Sequence, residues 1–392
     1  MIALPKPLSY AAYLECARCK KEYSIHEIHA YANCCNQPLV VKYDFPSGYY
    51  REDLVFREKS MWRYFEVLPV MDRSNIVSLG EGMTPLLSWE KLGAGNGFAD
   101  ITVKDESLNP TGSFKARGLS MAVSRAKELG IERCIVPTAG NAGGALAAYC
   151  AKAGIPCTVV MPRHTPAVFK QECELYAAEL ILVDGLINDC AKKVAALKQE
   201  ENYFDISTLK EPYRLEGKKT MGYEIAEQMN WQLPDVIVYP AGGGTGLIGI
   251  WKAFKEMMSM GWINGPLPKM IAVQSLNCAP VVRAFYNEEN WKEGFKPIPS
   301  VANGLAVPYP FGMDMMLEVL HESDGMAYAV SEEEIIEGVK EIAKTEGMIV
   351  SPEGAATWKA LQHLRRMKVV DEADKILLLN TGSGYKYLEN IL

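Results

Sequence analysis

Short apolar runs alternate with helix-forming stretches along most of this chain, and that alternation constrains its fold class before any motif is considered. Ile101–Glu106 alternates like a strand. A buried run opens at Cys134, and Ile155–Met161, Glu179–Asp184, Val236–Pro240, Met270–Ser275 and Ile376–Asn380 continue the series. Helical patterns separate them: Lys115–Leu129, Asn141–Gly154 with Gly154 as C-cap, Thr165–Ala178 and Asn188–Glu201. The charged and aromatic stretch Tyr49–Pro69 reads as one more helix packed on the body. Apolar strands each followed by a helix imply a mostly parallel sheet covered on both faces, an α/β architecture. A length of 392 residues fits two or three domains. The net charge of -7, with no Lys/Arg block, argues against nucleic acid as a partner. No apolar run approaches the ~20 residues of a membrane span. The first twenty residues lack the basic start and long apolar core of a signal peptide. The ten cysteines are scattered, so a reduced, cytoplasmic setting is expected.

Four loops carry the candidate chemistry. In Asn109–Gly118 (NPTGSFKARG), Pro and Gly mark a turn that feeds a helix, with Ser113 as expected N-cap. Lys115 then sits in the first helical turn, where positive potential and desolvation both lower an amine pKa and free it to attack a carbonyl. Gly242–Gly246 (GGGTG) joins a buried strand to a helix, where bare amides and the helix dipole suit a phosphate. A purely structural turn is the other reading. Thr138–Ala142 (TAGNA) also lies at a strand end before a helix, a setting for a carboxylate, with Asn141 alternatively a simple N-cap. Around Arg214, the stretch Pro212–Thr220 offers a planar fork for phosphate, with Lys218 and Lys219 adding charge or forming a solvated face.

The lysine loop together with Ser78–Leu86 (SLGEGMTPL) resembles the pyridoxal-phosphate enzymes of the tryptophan-synthase β fold (fold type II), and among them the threonine synthases and their relatives. The likeness runs from about Ser78 to the C-terminus. It implies that Lys115 holds the cofactor aldehyde and then shuttles protons. Gly242, Gly243, Gly244, Thr245 and Gly246 would bind the cofactor phosphate, with Asn141 beside its phenolic oxygen. Thr381, in the loop after the last strand, would meet the pyridine nitrogen, and a neutral hydroxyl there favours elimination and replacement over transamination. Ser113, Thr138, Ala139 and Gly140 would contact the substrate, and Arg214 and Lys218 its phosphate. Four positions depart from the family pattern: Ala116 for Asp, Ala142 for Thr, Glu211 for Asn and Lys218 for Gln. A carboxylate at Glu211 disfavours a phosphate site if it folds back on Arg214.

The resemblance also implies two open α/β domains, a large one from 51–129 with 211–392 and a small mobile one from 130–210, in a homodimer. The implied reaction converts O-phospho-L-homoserine and water to L-threonine and phosphate. Phosphate leaves the γ-carbon and water adds at the β-carbon. The alternatives are a serine/threonine dehydratase, a diaminopropionate-type ammonia-lyase and a cysteate synthase-like β-replacement enzyme. A catalytically silent sensor of amino acid or cofactor is opposed by the complete set of Lys115, Asn141, glycine loop and Thr381.

Residues 1–50 stand apart. Cys16 and Cys19 form a CxxC, and Cys34 and Cys35 follow. This is a pattern for tetrahedral zinc and is similar to the zinc-ribbon-like segment of some threonine synthases. The second pair is adjacent rather than spaced. A metal-free remnant therefore stands beside the zinc reading, and zinc is expected to be optional. His26 and His29 are further candidates.

Overall fold

The computed structural model describes residues 9–287 and 290–392; the first eight residues of the N-terminal segment lie outside them. Thirteen strands among the described residues form three sheets. Strands β1 (Ala11–Cys16), β2 (Glu22–Ser24) and β3 (Leu39–Tyr43) make a small antiparallel sheet in the order β2-β1-β3. After β4 (Leu86–Ser88) and β5 (Asp100–Asp105), the chain builds β6 (Cys134–Pro137), β7 (Cys157–Pro162), β8 (Glu179–Val183) and β9 (Phe204–Asp205). These last four form an all-parallel sheet in the order β8-β7-β6-β9. Finally β10 (Val236–Pro240), β11 (Lys269–Ser275), β12 (Met326–Val330) and β13 (Lys375–Asn380) join β4 and β5 in a six-stranded sheet ordered β12-β11-β10-β13-β5-β4. Only the β4–β5 pairing in it is antiparallel.

The parallel strands are apolar on both faces because both faces are covered. Along β10, Val236 and Val238 enter one core and Ile237 and Tyr239 the other; along β13, Ile376 and Leu378 divide from Leu377 and Leu379 in the same way. The expected helix at Tyr49–Pro69 is instead two 3₁₀ turns, Arg51–Phe56 and Met61–Val67, with a kink at Tyr64. Met61, Trp62, Arg63, Tyr64, Phe65 and Val67 are all buried while Val55 and Phe56 are exposed, so the stretch carries no continuous amphipathic stripe. The Met61 amide also pairs outward with the Glu81 carbonyl at 2.9 Å.

The lysine loop is tied down by backbone. Phe114 N–H donates to the Thr381 carbonyl at 3.0 Å, and Ser383 N–H to the Gly112 carbonyl at 2.9 Å. The helix Lys115–Glu128 takes Phe114, not Ser113, as its N-cap, while the Ser113 hydroxyl accepts the Lys115 amide at 3.4 Å. Two residues on, Arg117 is wholly buried and reaches both Glu106 and Glu224 at 2.6 Å. Lys104 completes the cluster at 2.9 Å from Glu224. The N-terminal sheet rests on the helices Tyr213–Gln228 and Thr245–Ser259, through Tyr43 to Glu216 at 2.7 Å and Lys252 to the Val41 carbonyl at 2.8 Å.

Removing Arg117 leaves two buried carboxylates short of their partner. Arg117→Ala is expected to lower unfolding free energy by about 3–5 kcal/mol. Denaturant titration followed by circular dichroism checks this, and a loss below about 1 kcal/mol would contradict it.

Candidate active site

A cavity of about 240 Å³ lies where the C-terminal ends of β6, β10 and β13 meet, the crevice in which open parallel sheets bind ligands. It is lined by Lys115, Thr138, Ala139, Gly140, Asn141, Arg214, Gly242, Gly243, Gly244, Thr245 and Thr381. Six helices begin at its edge: Lys115–Glu128, Asn141–Ala153, Ile187–Glu200, Tyr213–Gln228, Thr245–Ser259 and Pro352–Arg366. Each N-terminus contributes positive potential. The charged side chains of the lining are Lys115, Lys210, Arg214 and one carboxylate, Glu353. The cavity therefore favours anions.

Burial pulls the Lys115 amine down to about 7, the positive charge of Arg214 adds to this, and Glu353 opposes it. Gly244 takes φ +82°, and a Cβ at Gly242 would run into the Gly304 carbonyl, so the loop bends only with glycine at these two positions. Among the described residues no protein acceptor takes the amides of Gly243, Gly244 or Thr245. Asn141 donates its Nδ2 to the Tyr387 hydroxyl at 3.1 Å, while its buried Oδ1 has no partner. Turning the amide presents either atom to the cavity. These residues fit pyridoxal phosphate: an unprotonated amine for its aldehyde, free amides for its phosphate, an unspent amide atom for its ring oxygen and the Thr381 hydroxyl for its ring nitrogen.

Arg214 is buried, donates from Nη1 to the Ile206 carbonyl at 2.7 Å and keeps an unpartnered Nε. Glu211 does not pair with its guanidinium. Its carboxylate instead caps the helix, accepting the amides of Tyr213 at 2.7 Å and Arg214 at 3.1 Å. Burial pushes the Glu211 carboxyl up to about 7, against the pull of Arg214 and those amides.

Some expected residues stand elsewhere. Ser113 is buried beneath the loop, bridged to Gly382, and does not line the cavity. Gly246 lies outside the lining as well. It lets its helix sit against Tyr239, whose hydroxyl a Cβ would strike. Lys218 faces away from the cavity, donating to the Phe114 carbonyl under the Phe114 ring at 3.7 Å. Burial and the charges of Lys115 and Arg214 hold its amine well below the usual lysine range. Lys219 is taken up by Glu216 at 2.7 Å and Glu256 at 2.9 Å. In their place Ser207, Thr208 and Lys210 line the cavity near Arg214. Lys210 lies in the same KEPYR stretch and could have been read from it. Glu353 follows the Ser351-Pro352 helix start, a signal of position but not of role. Asn303 comes from an irregular loop with no periodic pattern.

In the N-terminal segment the sulfurs of Cys16, Cys19, Cys34 and Cys35 all lie within 4.8 Å of one another. The adjacent pair converges because the chain reverses at Asn36 (φ 52°) behind the Ala32–Gln37 bridge. A tetrahedral zinc with bonds of about 2.3 Å requires sulfurs about 3.8 Å apart, so the set fits one ion. Neither His26 nor His29 belongs to it.

An amine held near 7 is mostly protonated below that value and neutral above it. The rate at which apoprotein takes up pyridoxal phosphate, followed by absorbance, is expected to rise with pH to about 7 and then level. A rate still climbing toward the ordinary lysine range would contradict the buried setting of Lys115.

A profile of the pyridoxal-phosphate dependent enzyme family matches residues 77–382. The chain is 37% identical over 375 residues to a threonine synthase of Methanocaldococcus jannaschii, covering 95% of this chain and 92% of that protein. It is 34% identical over 382 residues to a threonine synthase of Methanosarcina acetivorans, covering 97% and 93%. A solved pyridoxal 5'-phosphate-dependent aspartate racemase shares the fold with a TM-score of 0.65 at 22% identity, covering 76% of this chain and 90% of that one. The chain therefore belongs to the pyridoxal-phosphate dependent enzyme family, with the fold type II architecture and among the threonine synthase-like members.

Proposed function

We propose that this enzyme is a threonine synthase, a lyase that converts O-phospho-L-homoserine and water to L-threonine and phosphate. The observation that carries the reading is Arg214: a buried guanidinium with a spare Nε and no ion pair among the described residues, lining the same cavity as Lys115. Its fork suits two oxygens of a dianion, and Lys210 supplies a second charge on the same wall. The identity to threonine synthases over most of the chain supports the same reading.

When bound, the cofactor supplies the electron sink that acidifies the carbon beside the amino group. The chain's own residues do the rest. The Lys115 amine, held near 7 and so able both to take and to give a proton at neutral pH, moves protons within the cavity. The start of the Asn141–Ala153 helix holds the substrate carboxylate. Arg214 and Lys210 hold the phosphate before and after it departs. Residues 130–210 form the small domain in this reading and residues 51–129 with 211–392 the large one, supported by their separate sheets. A homodimer and a cytoplasmic setting complete it, the latter supported by six cysteines buried as thiols outside the N-terminal segment. The four-cysteine segment binds one zinc.

Charge-assisted hydrogen bonds of the Arg214 kind are each worth about 1.5–3 kcal/mol. Arg214→Ala is therefore expected to lower phosphohomoserine turnover by about one to two orders of magnitude while changing elimination from serine or threonine little. The ratio of the two activities in wild type and variant decides. A wild type inactive on phosphohomoserine, or equal losses on both substrates, would favour the dehydratase or ammonia-lyase alternatives. For the metal, elemental analysis should find about one zinc per chain, lost in Cys19→Ser. Four titratable thiols in a zinc-free native preparation would contradict it.

A further inference from the structure

Tyr387 stands at the centre of a hydrogen-bond count that does not balance. Its hydroxyl meets Asn141 Nδ2 at 3.1 Å, Asn303 Oδ1 at 3.2 Å and Glu353 Oε1 at 3.1 Å. The orientation of Asn303 is fixed. Its Nδ2 donates to the Ala139 carbonyl at 3.0 Å, which can only accept, so its Oδ1 faces Tyr387. Glu353 Oε1 also accepts the Gly304 amide at 2.8 Å. An ionised Glu353 and Asn303 Oδ1 are both acceptors, and a phenol has one proton to give. Glu353 Oε1 keeps the Gly304 amide in either case, so when the Tyr387 proton goes to the carboxylate it is Asn303 Oδ1 that loses its donor. A protonated Glu353 removes the conflict: the carboxyl donates to Tyr387, and Tyr387 donates to Asn303.

The contest bears on the shape of the cavity. Asn303 and Gly304 begin a loop that runs to Phe311 and forms one wall, whereas Ala139 and Asn141 belong to the cradle after β6 on the other. Asn303 is the strap between them. We propose that Glu353 is a positioning residue that sets this strap through Tyr387, fastening it when the carboxyl is protonated and loosening it when ionised. The inference rests on the cavity being the active site and is independent of the leaving group.

The electrostatics of the carboxyl agree with this. Burial holds the Glu353 carboxyl above the usual carboxylate range, with the Gly304 amide, Ser351 and Tyr387 opposing. A raised acid pKa means the protonated, strapped form persists at low pH and gives way as pH rises through the raised value. The charged and titratable groups facing the carboxyl are Tyr387 from the C-terminal turn and Lys115 from its helix, with Arg214 and Lys218 beyond Lys115.

The test is hydrogen exchange of the holoenzyme by mass spectrometry, corrected for intrinsic rates, from mildly acidic to mildly alkaline pH. In wild type, protection of the Asn303–Phe311 segment should fall about two- to tenfold as pH rises, the factor one net hydrogen bond is worth. Glu353→Gln does not ionise, so its protection should be flat with pH whatever its level. Tyr387→Phe lacks the strap's anchor and should be low and flat. A flat wild-type profile, or a pH dependence that survives in Tyr387→Phe, would overturn the proposal even if Glu353→Gln does not fold. Exchange is read without turnover, so failure of the strap and failure of the proposed reaction are separately visible.

Discussion

The backbone pairing between the lysine loop and the loop after β13 is the constraint on which the site depends. Phe114 to Thr381 and Ser383 to Gly112 fix two chain segments far apart in sequence at hydrogen-bond distance. That pairing sets Lys115 and Thr381 in the lining of one cavity. Behind it, Arg117 clamps the first turn of the lysine helix to Glu106 and Glu224, so the helix start cannot drift without exposing buried charge. The amine is left in a setting that is both desolvated and positive, and burial is the larger effect on its pKa.

The same geometry explains why the cavity suits anions twice. Helices that follow parallel strands start at one edge, and the positive ends of several converge on the same space. One anion site falls at the glycine turn and the other at Arg214. Glu211 defines the second by what it does with its charge. It caps backbone amides and leaves the guanidinium unpaired, the opposite of the arrangement that its position in the sequence suggests.

Much of this was legible from residue order. Strands apolar on both faces announced the parallel sheets, and Pro and Gly ahead of Ser113-Phe114-Lys115 marked the loop. What escaped has physical causes. Lys218 sits one turn after Arg214, which suggests a shared face, but the Tyr213–Gln228 helix is buried almost all round and its faces meet different neighbours. The convergence of Cys34 with Cys35 depends on a left-handed turn at Asn36 that spacing alone does not reveal. Asn303, Glu353 and Tyr387 come from three separate elements and meet only through tertiary packing.

Lys115 and Lys218 are both amines of lowered pKa on either side of the cavity wall, and only the first lines the cavity that would hold the cofactor. Borohydride reduction of the holoenzyme followed by peptide mass mapping tests that most directly. The pyridoxyl adduct is expected on the peptide containing Lys115 and none on Lys218. An adduct on Lys218, or none on Lys115, would contradict it.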